Sequence, residues 1–269
     1  MNFEYFAQTD QGRVRRNNED SVLIGKESQL VVLADGMGGY NAGEVASAMA
    51  TSVVNIELGR WLLNRGSAAH AREVKRAIGM CVDNANRAIF DAANANPTYS
   101  GMGTTVVIGV FMDARVFVGH VGDSRCYRLR GATLRRLSRD HSWLQVQIDA
   151  GVISAEQAKF APNKNLITRA LGVEPSVLLE VNEFDAETGD LFLLCSDGLS
   201  DMVPDETLAG ILQSVGSLEW KAARLVEAAN ANGGRDNISV ILVQARTPHK
   251  GAGKRALVPR TGLAWRLIN

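Results

Sequence analysis

Apolar positions along this chain follow two rhythms, and the switch between them predicts the elements. Residues 3–9, 21–25 and 30–34 read as strands, with a turn at Asp10-Gln11-Gly12 between the first two. From Gly43 the period lengthens. Val45, Met49, Val53 and Ile56 recur every three or four residues and predict a helix ending near Asn64-Arg65-Gly66. A second stripe of Val74, Ile78, Cys81 or Val82, Ala85 and Ile89 predicts another, from about Ala71 to a stop at Asn94-Ala95-Asn96-Pro97. The short connection implies that the two pack antiparallel. Strands return at 104–112, 115–121 and 126–129, the first two joined by a tight turn at Asp113-Ala114. Residues 138–172 are irregular, with short helical pieces at 143–150 and 155–159 and a polar loop at Pro162-Asn163-Lys164-Asn165. Further strands fit 177–184, 190–195 and 238–244, and amphipathic helices fit 205–213 and 218–231. Strands grouped apart from helix pairs argue for an α+β protein: an antiparallel β-sandwich with a pair of helices outside each sheet, in four α-β-β-α layers.

Two of the apolar runs end alike. Leu30-Val31-Val32-Leu33-Ala34 leads into Asp35-Gly36, and Leu191-Phe192-Leu193-Leu194-Cys195-Ser196 leads into Asp197-Gly198. A third aspartate, in Gly233-Gly234-Arg235-Asp236-Asn237, stands just before the run 238–243. Asp and Gly also dominate ordinary turns, but these follow or precede fully apolar strands. Carboxylates at the edge of an apolar core are costly unless a positive charge meets them. No matching set of lysines or arginines adjoins these three in sequence, so a divalent cation is the economical partner. An all-oxygen ligand set suits Mg or Mn better than Zn.

The composition narrows the setting. In 269 residues, 29 Lys and Arg balance 29 Asp and Glu, so nothing points to nucleic acid. Cys81, Cys126 and Cys195 show no C-x-x-C spacing, which fits free thiols in a reducing cytoplasm. Neither a secretion signal nor a membrane-length apolar run is visible. The end of the chain is unlike the rest. Residues 247–269 form a basic tail with Lys250, Lys254, Arg255, Arg260 and Arg266 and no acid, read as a solvated end or, through Trp265 and Leu267-Ile268, a docking segment.

Six motifs in order complete the picture. They are Arg15-Arg16-Asn17-Asn18-Glu19-Asp20, Asp35-Gly36-Met37-Gly38-Gly39, Gly101-Met102-Gly103-Thr104-Thr105, Gly119-His120-Val121-Gly122-Asp123-Ser124-Arg125, Ser196-Asp197-Gly198-Leu199 and Gly234-Arg235-Asp236-Asn237. Together they resemble the metal-dependent protein phosphatases of type 2C (the PPM family) in compact bacterial form, from about Thr9 to Val243. The resemblance implies a phosphatase domain over 1–246, with a flap at about 138–172. It implies two Mn2+ or Mg2+ ions held by Asp35, the Gly36 carbonyl, Asp197 and Asp236, and a third, weaker ion at Asp123. Water activated by the metal pair would attack a phosphoserine or phosphothreonine directly, without a phosphoenzyme. Arg15 matches the phosphate-binding arginine, whose fork suits two phosphate oxygens. Glu19 and Asp20 match positions that order water and neighbouring groups. Thr104 and Asn237, inside their motifs, are taken with Arg15 as substrate contacts. Met37 stands where animal members carry a proton-donating histidine, which leaves the general acid open. His120 and His141 are weak candidates for it, more simply read as structural.

The resemblance also implies partners: phosphorylated proteins, a cognate Ser/Thr kinase and, in some stand-alone relatives, type VI secretion. The expected protein is a cytoplasmic monomer. The chief alternative is a non-catalytic phosphoprotein-binding regulator on the same fold, disfavoured because every metal carboxylate is kept. A diesterase is a further one. Cys81 to Arg87 matches the Cys-x5-Arg pattern of cysteine phosphatases, but it sits in a helical stripe without a glycine cradle and reads as chance.

Overall fold

The computed structural model describes residues 1–38, 42–65, 68–154, 157 and 166–247. The expected helical piece at 155–159, the loop at 162–165 and the tail beyond 247 fall largely or wholly outside them. Eleven strands form two antiparallel sheets among the described residues. One has the order β1 (Asn2–Asp10), β11 (Ile238–Arg246), β10 (Leu191–Cys195), β7 (Arg125–Arg130), β8 (Thr133–Arg136). The other runs β2 (Asp20–Gly25), β3 (Leu30–Met37), β5 (Val106–Met112), β6 (Arg115–Val121), β9 (Glu180–Asp185), with β4 (Gly103–Thr104) pairing the end of β3.

The apolar runs are unbroken because these strands are covered on both faces. Leu30, Val32 and Ala34 pack outward with helices α1 (Gly43–Val54) and α3 (Ala71–Ala95), while Val31 and Leu33 pack inward between the sheets. In the other sheet Leu191, Leu193 and Cys195 face α6 (Asp205–Gln213) and α7 (Leu218–Ala231), while Phe192 and Leu194 face inward. Alternate residues thus feed three separate apolar layers. This is the four-layer α-β-β-α sandwich that the sequence predicts.

Three details differ. The first helix is not uniform: α1 passes through a π-helical turn at Asn55–Gly59 into α2 (Arg60–Arg65). Strand β8 has no counterpart in the expected elements. Its Thr133-Leu134-Arg135-Arg136 is half polar, and pairing with β7 organises it. The strand expected from 177 begins at Glu180. Within 138–172, Ser142 caps the short helix α4 (Trp143–Asp149), accepting from the Gln145 N–H at 3.2 Å.

A candidate metal centre between the sheets

Sheet geometry brings the predicted carboxylates to one end of the sandwich. Asp20 opens β2 directly across from Asp35 on β3. Asp197 follows β10 at the start of the one-turn helix α5 (Asp197–Ser200), and Asp236 precedes β11, the neighbour of β10. Asp123 lies in the turn from β6 to β7, a connection that crosses from one sheet to the other. Tight main-chain approaches lock these corners. A Cβ at Gly36 would lie 2.1 Å from the Gly43 carbonyl oxygen, and one at Gly198 2.0 Å from that of Asn237. Both positions therefore exclude a side chain.

The electrostatics show the convergence. Desolvation, then Asp20, Asp197, Asp123 and Asp236, push Asp35 well above the usual carboxylate range. Desolvation, then Asp123, Asp236, Asp201 and Asp20, do the same to Asp197. Burial raises Asp123 to about 7 and Asp20 to about 6, the latter against hydrogen bonds from Ser239 and Ser196. Glu19 is raised by burial too. One Oδ1 each of Asp20, Asp123 and Asp197 is enclosed and accepts no hydrogen bond among the described residues. Nor does any lysine or arginine form an ion pair with Asp20, Asp35, Asp123 or Asp197 among them. Orphaned buried carboxylate oxygens, all oxygen and no nitrogen or sulfur, fit hard divalent cations. Asp236 alone has a protein cation: Arg15 Nη2 donates to its Oδ2 at 2.6 Å.

Other predicted residues have different positions in this scheme. The Glu19 carbonyl accepts from Gly36 N–H at 3.1 Å and from Ser47 Oγ at 2.6 Å, which ties its strand to β3 and α1. Thr104 and Asn237, expected as substrate contacts, make their hydrogen bonds inside the protein. Thr104 is fully buried, and its hydroxyl donates to the Asp35 carbonyl at 2.9 Å. The buried Asn237 amide accepts from Glu19 N–H at 2.8 Å and donates to the Gln11 and Asn17 carbonyls at 3.0 and 2.9 Å. Both side chains hold the frame of the site and have no free group to offer a phosphate.

Two participants were given no role from the sequence, although Ser196 stands in one of the six motifs. Ser196 Oγ donates to Asp20 Oδ2 at 2.8 Å while accepting from Ser239 N–H at 2.9 Å, and so joins the end of β10 to the start of β2 across the sheets. Asp201 raises both Asp123 and Asp197, so it belongs to the same field. Its spacing four residues after Asp197, one helical turn on, was the available signal.

The weak candidates His120 and His141 lie side by side. The buried His120 and His141 rings stack with centroids 4.8 Å apart. His141 Nδ1 accepts from Gly122 N–H at 3.2 Å, and burial lowers its pKa to about 4, so the ring is neutral. His120, His141 and Glu180 each bring a possible ligand atom within 4.8 Å of the others, and the His141 backbone bonds Gly122 and Thr168 at the base of the 138–172 segment. At the other root, Gly172 N–H donates to Asn86 Oδ1 at 2.8 Å, and Leu171 bridges to Thr104. Cys81 is buried in α3 with its thiol pushed up to about 12 by burial, the reverse of an activated nucleophile.

Comparison with known proteins agrees with this geometry. Residues 9–239 match the family model described as Protein phosphatase 2C. The chain is 40% identical over 247 residues to the serine/threonine phosphatase stp of Listeria welshimeri serovar 6b, covering 91% of this chain and 96% of that one. It resembles the crystal structure of the catalytic domain of the phosphatase PstP in complex with two manganese ions, with a TM-score of 0.80, 36% identity and coverage of 91% and 99%. It also resembles PppA, described as a key regulatory component of the type VI secretion system in Pseudomonas aeruginosa, with a TM-score of 0.79, 30% identity and coverage of 91% and 98%. With the match spanning most of its length and the motif carboxylates gathered at one end of the sandwich, this chain belongs to the protein phosphatase 2C family.

Proposed function

We propose that this protein is a metal-dependent phosphatase acting on phosphoserine or phosphothreonine in proteins. One observation carries the reading: four carboxylates from both sheets meet without a lysine or arginine ion pair, and three of them keep an enclosed, unbonded oxygen. Asp35, Asp197, Asp236 and the Gly36 carbonyl would hold two Mn2+ or Mg2+ ions, and Asp123 with Asp201 a weaker third. When bound, such a pair supplies Lewis-acid polarisation of the phosphoryl group and a hydroxide near neutral pH.

The chain's own side chains do the rest. Arg15 is half-exposed, and its guanidinium reaches the centre from outside. With cations present, Asp236 no longer needs that partner, and the planar fork is free to bind two phosphate oxygens. Ser196 fixes the rotamer of Asp20, and Glu19 lines the same corner. Cys81 lies within a helix with a raised thiol, which supports direct attack by water over a phosphocysteine route. The 138–172 segment is proposed as the flap that selects protein substrates, since its base packs on Gly122 beside Asp123.

In the cell we place the enzyme in the cytoplasm as a monomer opposing a Ser/Thr kinase. No helix among the described residues is long and apolar enough to cross a membrane. The likeness to PppA favours type VI secretion as one setting. The test is hydrolysis of para-nitrophenyl phosphate and of a phosphothreonine peptide by Mn-loaded protein. Turnover abolished by EDTA and restored by Mn2+ is expected. Turnover that resists EDTA, or peptide binding without turnover, would overturn the reading.

A further inference from the structure

A cleft of about 610 Å³ opens directly from the metal centre, with Asp123 and Asp197 at its floor. That is far more room than a phosphate needs and lies within the range of sites that hold several side chains. Leu144 and Ile148 of α4 form one apolar side, and Met202 and Pro204, between α5 and α6, form the other. The lining is acid-rich: Asp123, Asp140, Asp197, Asp201, Asp205 and Glu206 outnumber Arg125 and Arg136. Arg125 and Arg136 both turn onto Asp140, at 2.6 and 3.4 Å, so one carboxylate answers part of that positive charge within the protein. Asp205 and Glu206, both exposed, stand at its rim; Asp205 accepts from the Tyr127 hydroxyl at 3.1 Å, and Arg125 Nη1 donates to that hydroxyl at 3.3 Å.

We propose that this cleft seats the polypeptide next to the phosphorylated residue and favours substrates that carry a lysine or arginine there. The inference rests on the phosphatase reading above. Continuity with the reaction centre argues for the occupant: the cleft shares Asp123 and Asp197 with that centre, so residues flanking a phosphoserine bound there have a path along it. The apolar walls accept the stem of a long basic side chain, and the Asp205–Glu206 rim meets its charged end. An acidic flank would face that rim unpaired.

The experiment uses full-length, Mn-loaded protein and matched phosphothreonine peptides with Arg, Gln or Glu at each flanking position, with para-nitrophenyl phosphate as the measure of a competent centre. The Arg peptide is expected to exceed the Glu peptide in kcat/KM by about fivefold at one or more positions, mainly through KM, with the contrast shrinking at high salt. Glu206→Gln should reduce that ratio, and Glu206→Lys should bring it to unity or invert it. Equal kcat/KM across the three peptides while the small ester is still hydrolysed would overturn the cleft assignment alone. So would an Arg preference unchanged in Glu206→Lys. Failure of the wild-type protein to hydrolyse the small ester would instead overturn the phosphatase reading beneath it.

Discussion

Strand β10 carries an aspartate just beyond each end, and the two live in opposite worlds. Asp190, at its start, has a side chain only 1% exposed, yet it is fully answered. Arg130 donates to its two oxygens at 2.8 and 2.7 Å, and the Glu187 N–H adds a third bond at 2.9 Å. Asp197, past the other end, has an enclosed oxygen with no partner and a field of neighbouring carboxylates. The same strand therefore sets a buried acid answered by an arginine beside one whose enclosed oxygen has no hydrogen-bond partner among the described residues. A protein cation closes the first. The second stays open, and the openness is the functional signal.

Exchanging charge for amide at the two ends should separate them most sharply. Asp35→Asn is expected to lower Mn-dependent turnover by about 10³-fold or more, the loss of several kcal/mol of transition-state stabilisation. In chelated protein the same change should raise the melting temperature by about 2–4 °C, because it relieves carboxylate repulsion worth about 1 kcal/mol. Asp190→Asn should do the reverse, leaving turnover near wild type while lowering the melting temperature by about 5 °C or more, since a buried pair loses one partner. Thermal melts with and without EDTA, beside an ester assay, read both. If Asp35→Asn destabilises the chelated protein, the open end is structural after all.

A smaller effect sharpens the contrast. Ser196→Ala removes the hydroxyl that holds Asp20 and should weaken Mn2+ binding about tenfold by calorimetry, with the fold intact by circular dichroism. An unchanged affinity would reduce Ser196 to a packing residue. The smallest effect concerns pH. Asp20 and Asp123 bind protons more tightly in the folded chain, near 6 and 7, than at their ordinary 3.8. Metal-free protein should therefore lose stability as pH rises through that window, melting a few degrees higher at pH 5 than at pH 7.5. With saturating Mn2+ the order should invert, because the ions compete with those protons.

Much of this was legible in the sequence, for identifiable reasons. Runs such as 191–195 cannot be solvated, so strands covered on both faces follow, and an aspartate at the end of such a run is conspicuous. What was not legible depends on contacts between residues far apart in the chain. Asn237 looks like a site residue because it adjoins Asp236, but its amide is taken up by residues 11, 17 and 19 of the N-terminal segment. Thr104 misleads in the same way, since its hydroxyl caps a carbonyl on a neighbouring strand. Ser196 was hidden because a serine before an aspartate carries no periodic signal. Strand β8 was missed because its alternation is too short to stand apart from a loop.

Gly198 and Asn237 approach closely through backbone, and each follows directly after an aspartate proposed as a metal ligand. The gauge of the centre, how far Asp197 stands from Asp236, is thus ruled off by two peptide planes in contact. Side chains nearby can alter how tightly ions are held or which peptide approaches. Widening the gauge itself would take a methyl group at position 198, which should part the strand ends and cost the centre its ions before it cost the molecule its fold.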